Sequence, residues 1–210
     1  MTEAIVFDFD GVIGNSMPRQ CEAWERAIAS FQDELSETQK ETLLRNFWAG
    51  NAGDLMFNDT GLEGELKARL RKAKDRIWNE QQYHVQPIEG AVAAVKQLYA
   101  DYLLAIATTG HRKYVLDCLE RFQLMECFQL IIAREDVNQL KPAPDALLII
   151  ADFLSVPAHH ITLIGDTQSD KGMAAAAGSR FIQLKADGRK SEAIQDASYA
   201  DWPSLLQAIT

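Results

Sequence analysis

Short apolar runs alternate with helical stretches along most of this chain, and that order restricts the fold to a few architectures. Each run ends in polar or glycine residues, whereas the stretches between them carry apolar side chains at helical spacing. A strand–helix–strand order favours a parallel sheet covered by helices on both faces. We therefore predict an α/β fold built on a doubly wound parallel sheet. The predicted strands are Ala4–Phe7, Tyr102–Thr108, Gln129–Ala133, Ile161–Ile164 and Arg180–Leu184, and the predicted helices are Gly90–Ala100, Arg112–Phe122, Asp145–Leu154 and Asp170–Ala177.

One segment interrupts this alternation. Residues 15–84 carry amphipathic helical patterns and no clear strand, with a first helix beginning near Pro18 and a last one from about Glu65 to Gln81. A length of 210 residues suits one large domain with a smaller insert. The sequence therefore predicts an α/β core domain, residues 1–14 and 85–210, with residues 15–84 inserted as an α-helical cap domain.

Composition and charge exclude several classes of function. A net charge of −9 and a pI near 4.9 argue against nucleic acid or an anionic membrane as the main partner. The first apolar run, Ala4–Phe7, is too short for a secretory peptide or a membrane span. Cys21, Cys118 and Cys127 are scattered and lack zinc-site spacing. We expect a protein of the reducing cytoplasm; no oligomeric state is predicted.

The end of the first strand carries the strongest chemical signal. Asp8 and Asp10 directly follow Ala4–Phe7, and alternate side chains of extended backbone share a face. The carboxyl edge of such a sheet is where ligands bind. Two like charges repel by about 4 kcal/mol at about 4 Å with an effective dielectric near 20. Unless the pair is a solvated turn, a cation or a shared proton must compensate it.

Three further strand ends carry polar groups that fit the same chemistry. One strand ends at Thr108, beside Thr109; Lys141 stands before a proline and a helix; and Asp166 and Asp170 follow the fourth strand. Each alone has a structural explanation, since a Thr-Gly turn is ordinary and the two aspartates suit a helix cap and its first turn. Their order, all at strand ends, predicts a single site.

These motifs, in this order, resemble those of the haloacid-dehalogenase superfamily of phosphotransferases. The resemblance extends over nearly the whole chain and implies a Rossmann-like core. A helical cap between the first and second motifs is similar to the subgroup that contains phosphoglycolate phosphatase and β-phosphoglucomutase. The matching segments are Asp8-Phe9-Asp10-Gly11-Val12, Thr108, Lys141-Pro142-Ala143-Pro144-Asp145 and Gly165-Asp166-Thr167-Gln168-Ser169-Asp170.

The resemblance implies catalytic roles that the residue chemistry permits. Asp8 is the expected nucleophile, which forms an aspartyl-phosphate and so divides one difficult displacement into two. Asp10 is the expected acid and base, first for the leaving alcohol and then for water. Thr108 and Lys141 are the expected donors to the phosphoryl oxygens.

A metal ion follows from the charges of the four aspartates. Asp8, Asp10, Asp166 and Asp170 converge with only Lys141 as an identified opposing charge, which a divalent cation would resolve. Oxygen ligands beside a phosphate favour Mg²⁺. By resemblance, the Asp8 carboxylate, the Asp10 carbonyl and Asp166 bind it, and Asp170 holds a metal-bound water.

The expected substrate is a small phosphorylated metabolite, a phosphomonoester. Asp10 supports this expectation, because the dehalogenases and phosphonatases of the same superfamily lack this second aspartate. Thr109 stands where asparagine is frequent, and it is a candidate for substrate binding. In the cap, the candidates for the leaving group are Arg19, Arg45 and Asn51.

Two alternatives remain open at this stage. One is a sugar phosphomutase of the β-phosphoglucomutase kind, which would usually carry histidine or lysine near the position of Gln20. Such enzymes also have an arginine-bearing loop that grips a second phosphate, and the residues around Arg45 match that loop poorly. A non-enzymatic, phosphate-accepting signalling domain also uses aspartates and Mg²⁺ on a doubly wound sheet. Such domains are shorter and have no inserted cap.

Overall fold

The computed structural model describes residues 2–49, 53–185 and 197–209, which form two compact units. The core unit is made by residues 2–15, 86–185 and 197–209. The inserted unit is the chain from Ser16 to Val85. The limits predicted for the cap differ from these by one residue at each end, and its role as a cap stays a prediction.

Both units contain helices, and the sheet belongs to the core unit. Short 3₁₀ turns lie at Gly53–Phe57, Gln82–His84, Met125–Cys127, Arg134–Asp136 and Ala158–His160. In chain order the strands and α-helices are β1 (Ala4–Phe7), β2 (Gly14–Asn15), α1 (Met17–Ala29), α2 (Glu37–Trp48), α3 (Gly64–Gln81), β3 (Gln86–Pro87), α4 (Ala91–Leu98), β4 (Leu103–Ala107), α5 (Arg112–Phe122), β5 (Leu130–Ile132), α6 (Asp145–Leu154), β6 (Ile161–Gly165), α7 (Gln168–Ala177), β7 (Arg180–Leu184), β8 (Ser198–Tyr199) and α8 (Trp202–Ile209).

The main sheet has six strands in the order β5-β4-β1-β6-β7-β8, and all of its described pairings are parallel. β1 is central, with Ala4 paired to Leu103 of β4 on one side and to Ile161 of β6 on the other. β4 and β5 lie on one side of β1, and β6, β7 and β8 lie on the other. The strand order therefore reverses at β1, and α/β folds bind ligands at the carboxyl end of such a switch point. The predicted doubly wound α/β fold is confirmed.

β1 is buried on both faces, as a central parallel strand must be. Ala4 and Val6 belong to one apolar cluster, with α6 and α7, and are fully buried. On the opposite face, the Phe7 ring lies 5.9 Å from Trp202 and 6.0 Å from Phe128, measured between ring centroids. The two layers fix β1, and with it the residues that follow.

All nine predicted elements of the core unit are present. Helices Arg112–Phe122 and Asp145–Leu154 and strand Arg180–Leu184 have the predicted bounds. α7 begins at Gln168, two residues before the predicted start at Asp170, because a capping box precedes it.

Four short elements were not predicted. β2 and β3 form an antiparallel pair in which Asn15 faces Gln86, so the prediction of a strand-free segment from residue 15 was wrong at its first residue. β8 and α8 complete the core unit after β7. Trp202 of α8 is fully buried, and its Nε1 donates a hydrogen bond to the Val12 carbonyl at 3.0 Å.

The inserted unit is helical in its described part. α2 begins with a capping box between Ser36 and Gln39. Asn46, buried in α2, donates from Nδ2 to the carbonyl oxygens of Met56 at 3.1 Å and Asn58 at 2.8 Å, which ties residues 56–58 to α2. Among the described residues, no helix combines the length and the apolar composition needed to cross a bilayer.

Candidate active site

The loop after β1 holds two aspartates at the carboxyl edge of the sheet. The Asp8 amide donates to the Ile164 carbonyl at 2.9 Å, which extends the pairing of β1 with β6 by one residue. The chain then turns back sharply, because the Gly14 amide donates to the Phe9 carbonyl at 2.8 Å. A Cβ on Gly14 would lie 2.8 Å from Cε1 of Phe9, so this tight loop requires glycine there.

Three buried aspartates from two strand ends meet at this edge. Asp8, Asp166 and Asp170 each offer a carboxylate oxygen, and the three oxygens lie within 4.8 Å of one another. α7 approaches β6 closely, since a Cβ on Gly165 would lie 2.5 Å from Cβ of Asp170. Glycine at the end of β6 therefore allows the first turn of α7 to bring its aspartate into the cluster.

A buried lysine joins two members of the cluster. Nζ of Lys141 donates to Oδ1 of Asp8 at 2.8 Å and to Oδ1 of Asp170 at 2.6 Å, and the lysine side chain is 5% exposed. With all groups ionised, three carboxylates and one ammonium leave a charge of −2. Carboxylate oxygens are the donors that hard divalent cations prefer. The donor set and its charge therefore fit a divalent metal ion.

Asp170 is held rigidly by the cap of its own helix. The Thr167 amide donates to Oδ2 of Asp170 at 3.0 Å, and the Thr167 hydroxyl donates to the same oxygen. In return the Asp170 amide donates to the Thr167 hydroxyl at 3.3 Å. Thr167 is thus the N-cap of α7. One carboxylate oxygen of Asp170 accepts hydrogen bonds from Thr167, and the other accepts one from Lys141.

Asp10 lies beside the threonine at the end of β4. The Gly110 amide donates to the Thr108 hydroxyl at 3.0 Å. A Cβ built on Gly110 would lie 3.3 Å from that hydroxyl oxygen and 3.4 Å from Oδ2 of Asp10, so both oxygens flank the same glycine. Thr108 and Asp8 are buried, whereas Asp10 is partly exposed. The structure therefore gathers the predicted catalytic groups at one edge.

Sequence reasoning missed one neighbour of this edge. The Tyr114 hydroxyl, in α5, donates to Oδ1 of Asp10 at 2.8 Å. Burial, reinforced by the charge of Asp10, raises the pKa of Tyr114 well above its ordinary value, so the phenol remains a donor. Its sequence signal was only its place on the apolar stripe of a helix, which indicated a core residue.

The pKa values of the buried lysine and aspartate reflect their surroundings. Burial raises the pKa of Asp8 from 3.8 to about 7, although the ammonium of Lys141 acts in the opposite direction. For Lys141, burial alone would lower the pKa, but the carboxylates of Asp170 and Asp8 raise it above its ordinary value. Lys141 is therefore a permanent cation, while Asp8 is costly to ionise without further positive charge.

A pH-dependent stability difference follows from the Asp8 pKa. In metal-free protein the unfolded chain loses the Asp8 proton near pH 4, and the folded chain retains it until about pH 7. The free energy of unfolding of the wild type, relative to Asp8→Asn, should therefore fall across that range by about 4 kcal/mol. Urea unfolding in EDTA at about pH 5 and about pH 8 covers the upper part of this range, over which the difference should fall by about 2–3 kcal/mol.

Asp33→Asn, which makes the same change at an exposed acid of the inserted unit, is the control for the substitution itself. A constant difference between wild type and Asp8→Asn at both pH values would contradict the raised pKa.

The structure describes three of the four remaining candidates for substrate binding. Thr109 is exposed at the end of β4. Two candidates lie in the inserted unit, where Arg19 pairs with Glu22 at 3.0 Å and Nη2 of Arg45 donates to the Thr42 hydroxyl at 3.3 Å. Asn51 lies outside the described residues. Their roles toward substrate stay predictions.

The doubly wound sheet thus carries an acid cluster and a buried lysine at its carboxyl edge, where α/β enzymes bind their ligands. The family model for haloacid dehalogenase-like hydrolases matches residues 5–184. The chain therefore belongs to the haloacid dehalogenase-like hydrolase family. The predicted resemblance, and the prediction of an enzyme of this class, are confirmed.

Individual relatives give the same result. The chain is 26% identical to phosphoglycolate phosphatase from Escherichia coli (strain K12), over 98% of this chain and 91% of the relative. It is similar in fold to a predicted phosphoglycolate phosphatase from Haemophilus somnus 129pt, with a TM-score of 0.80, 19% identity and coverage of 100% and 98%. A haloacid dehalogenase-like hydrolase from Streptococcus pneumoniae gives a TM-score of 0.82, 17% identity and coverage of 100% and 99%.

Proposed function

We propose that this hydrolase is a Mg²⁺-dependent phosphatase that cleaves a small phosphomonoester through an aspartyl-phosphate at Asp8. The observation that carries this proposal is the arrangement of Lys141 between Asp8 and Asp170, in a cluster of three buried carboxylates. Phosphoryl transfer requires chiefly positioned charges and donors, because the transition state spreads negative charge over the phosphoryl oxygens. The carboxyl edge of the sheet offers these groups around Asp8, at the end of β1.

In the first step, a carboxylate oxygen of Asp8 attacks phosphorus, and the bond between phosphorus and the leaving oxygen breaks. Protonated Asp10 gives its proton to that oxygen, so the product leaves as a neutral alcohol. Lys141 holds Asp8 in place and offers positive charge to the phosphoryl group. The Thr108 hydroxyl, beside the amide of Gly110, is the further donor.

In the second step, Asp10, now a carboxylate, takes a proton from water as the water oxygen attacks phosphorus. The bond from phosphorus to the Asp8 oxygen breaks, which releases inorganic phosphate and regenerates both aspartates. Asp8, Asp166 and the Asp10 carbonyl would hold a divalent cation, which would supply the positive charge that offsets the excess of carboxylates.

Mg²⁺ dependence is the test of the metal assignment. We expect p-nitrophenyl phosphate hydrolysis to fall by at least about 100-fold in EDTA and to return with Mg²⁺, since charge compensation of the cluster is required. Thermal shift measured in parallel should show that Mg²⁺ raises the melting temperature. In Asp166→Asn both responses should weaken, whereas Asp33→Asn should retain them. Full activity in EDTA would contradict this assignment.

The substrate is proposed from the relatives and the chemistry. Phosphoglycolate is the first compound to test, because phosphoglycolate phosphatases are similar to this chain over nearly its full length. A panel of phosphorylated metabolites with Mg²⁺, read by phosphate release, defines the class. Conversion of β-glucose 1-phosphate without phosphate release would indicate a mutase instead. The three cysteines are free thiols, in keeping with a proposed cytoplasmic location.

A further inference from the structure

The two oxygens of the Asp10 carboxyl group have different neighbours. Oδ1 accepts the hydrogen bond from the Tyr114 hydroxyl at 2.8 Å. Oδ2 lies next to Gly110, since a Cβ on that glycine would lie 3.4 Å from it and 3.3 Å from the Thr108 hydroxyl oxygen. The first oxygen is thus engaged by helix α5, and the second lies beside the same glycine as the hydroxyl of Thr108, which is assigned to the phosphoryl group.

Tyr114 is itself fixed by the packing around it. Its side chain is buried, and its ring stands edge-on to Phe9 at 5.6 Å and 87°. Phe9 in turn stacks against Phe122, the last residue of α5, at 6.5 Å and 11°. The ring that carries the phenol is therefore held in place by packing, in contrast to a solvent molecule or a mobile surface side chain.

The phenol also belongs to a longer hydrogen-bonded row along α5. Tyr114 is hydrogen bonded to Cys118, one turn later, and Nη2 of Arg121 donates to Sγ of Cys118 at 3.1 Å. Residues at these spacings share one face of a helix. The row fixes the rotamer of the phenol from its far side and ends at a cation.

We propose that Tyr114 is a positioning residue that engages Oδ1 of Asp10, so that Oδ2 carries the proton exchanged with the leaving group and with water. This inference rests on the proposed function. In the first step the proton passes from Oδ2 to the leaving oxygen, and Asp10 becomes a carboxylate. Hydrogen bonds to a charged acceptor are the stronger ones, so the contact with Tyr114 strengthens as the proton departs. Binding that increases toward the transition state accelerates the reaction.

Tyr114→Phe tests this role, because it removes the hydroxyl and retains the ring. The measurement is kcat/KM for a series of phosphate monoesters whose leaving groups become less acidic: p-nitrophenyl phosphate, phenyl phosphate and an alkyl phosphate. A good leaving group departs without a proton, whereas an alkoxide requires one. We expect a loss of about 10- to 100-fold for the alkyl phosphate and less than about 3-fold for p-nitrophenyl phosphate.

Tyr99→Phe is the matched control, since it removes the hydroxyl of a half-exposed tyrosine of the same unit, and it should leave all the rates unchanged. Melting temperatures of both variants establish that they fold. An equal loss for every substrate would show that Tyr114 is merely structural, and no loss would show that Oδ1 needs no donor; either result overturns the inference alone. If the wild type hydrolyses none of these esters with Mg²⁺, the proposed function itself fails, and this inference with it.

Discussion

Asp8→Asn should reduce phosphate release from p-nitrophenyl phosphate by about 10⁴-fold or more, because an amide cannot form the acyl phosphate. Asparagine has nearly the shape of aspartate, and its oxygen can still accept from Lys141, so the fold should persist. The measurement is single-turnover and steady-state kinetics at saturating Mg²⁺.

A second readout separates a lost nucleophile from a disturbed site. After rapid acid quench, mass spectrometry should find phosphate on the peptide that contains Asp8 in the wild type, and none in the variant. Asp33→Asn, an exposed acid, should leave both readouts as in the wild type. Undiminished turnover by Asp8→Asn at the same Mg²⁺ concentration would refute the assignment. A phosphoprotein that persists for minutes without turnover would instead favour a signalling domain.

Lys141→Met should cost about 3–5 kcal/mol of unfolding free energy and nearly all activity. Methionine fills similar space, but Asp8 and Asp170 then lose the ammonium that bridges them in a buried site. Removing one partner of a buried ion pair leaves an uncompensated charge, which is the costly case. Urea unfolding in EDTA measures the loss, and added Mg²⁺ should recover part of it.

The exposed side of the same fold offers a matched comparison. Lys113→Met removes a lysine that pairs with Asp117 across one helical turn, with the lysine side chain 76% exposed. That change should cost less than about 1 kcal/mol. Adding Asp170→Asn to Lys141→Met should cost less than the two single changes summed, because both act on one charge network. Additive losses would argue against the network.

The chemistry of the site could be predicted from the sequence because it lies at strand ends, and strand ends can be recognised. An apolar run followed by an acid marks the edge of a parallel sheet, so the ends of β1, β4 and β6 place their acids and threonine on one edge, whereas Lys141 reaches it from the loop before α6. The start of α7 could also have been predicted, since Thr167 with Asp170 three residues later is the pattern of a capping box.

The rest depends on contacts between distant residues. α8 has only eight residues, and its burial depends on Trp202 reaching the Val12 carbonyl and the Phe7 ring, which no local pattern records. β2 and β3 have two residues each and form only because they meet. The contact between Tyr114 and Asp10 spans 104 positions of sequence.

The pairing of β2 with β3 has a consequence for how such chains can diversify. Asn15 and Gln86 face each other, so the chain leaves the core unit and returns to it at adjacent points. In topology, the segment from Ser16 to Val85 is therefore the loop of one hairpin. Replacing that loop by a segment of another length or shape leaves the register of the main sheet untouched. The predicted cap can thus be exchanged as one module without changing the strand ends that carry the acid cluster.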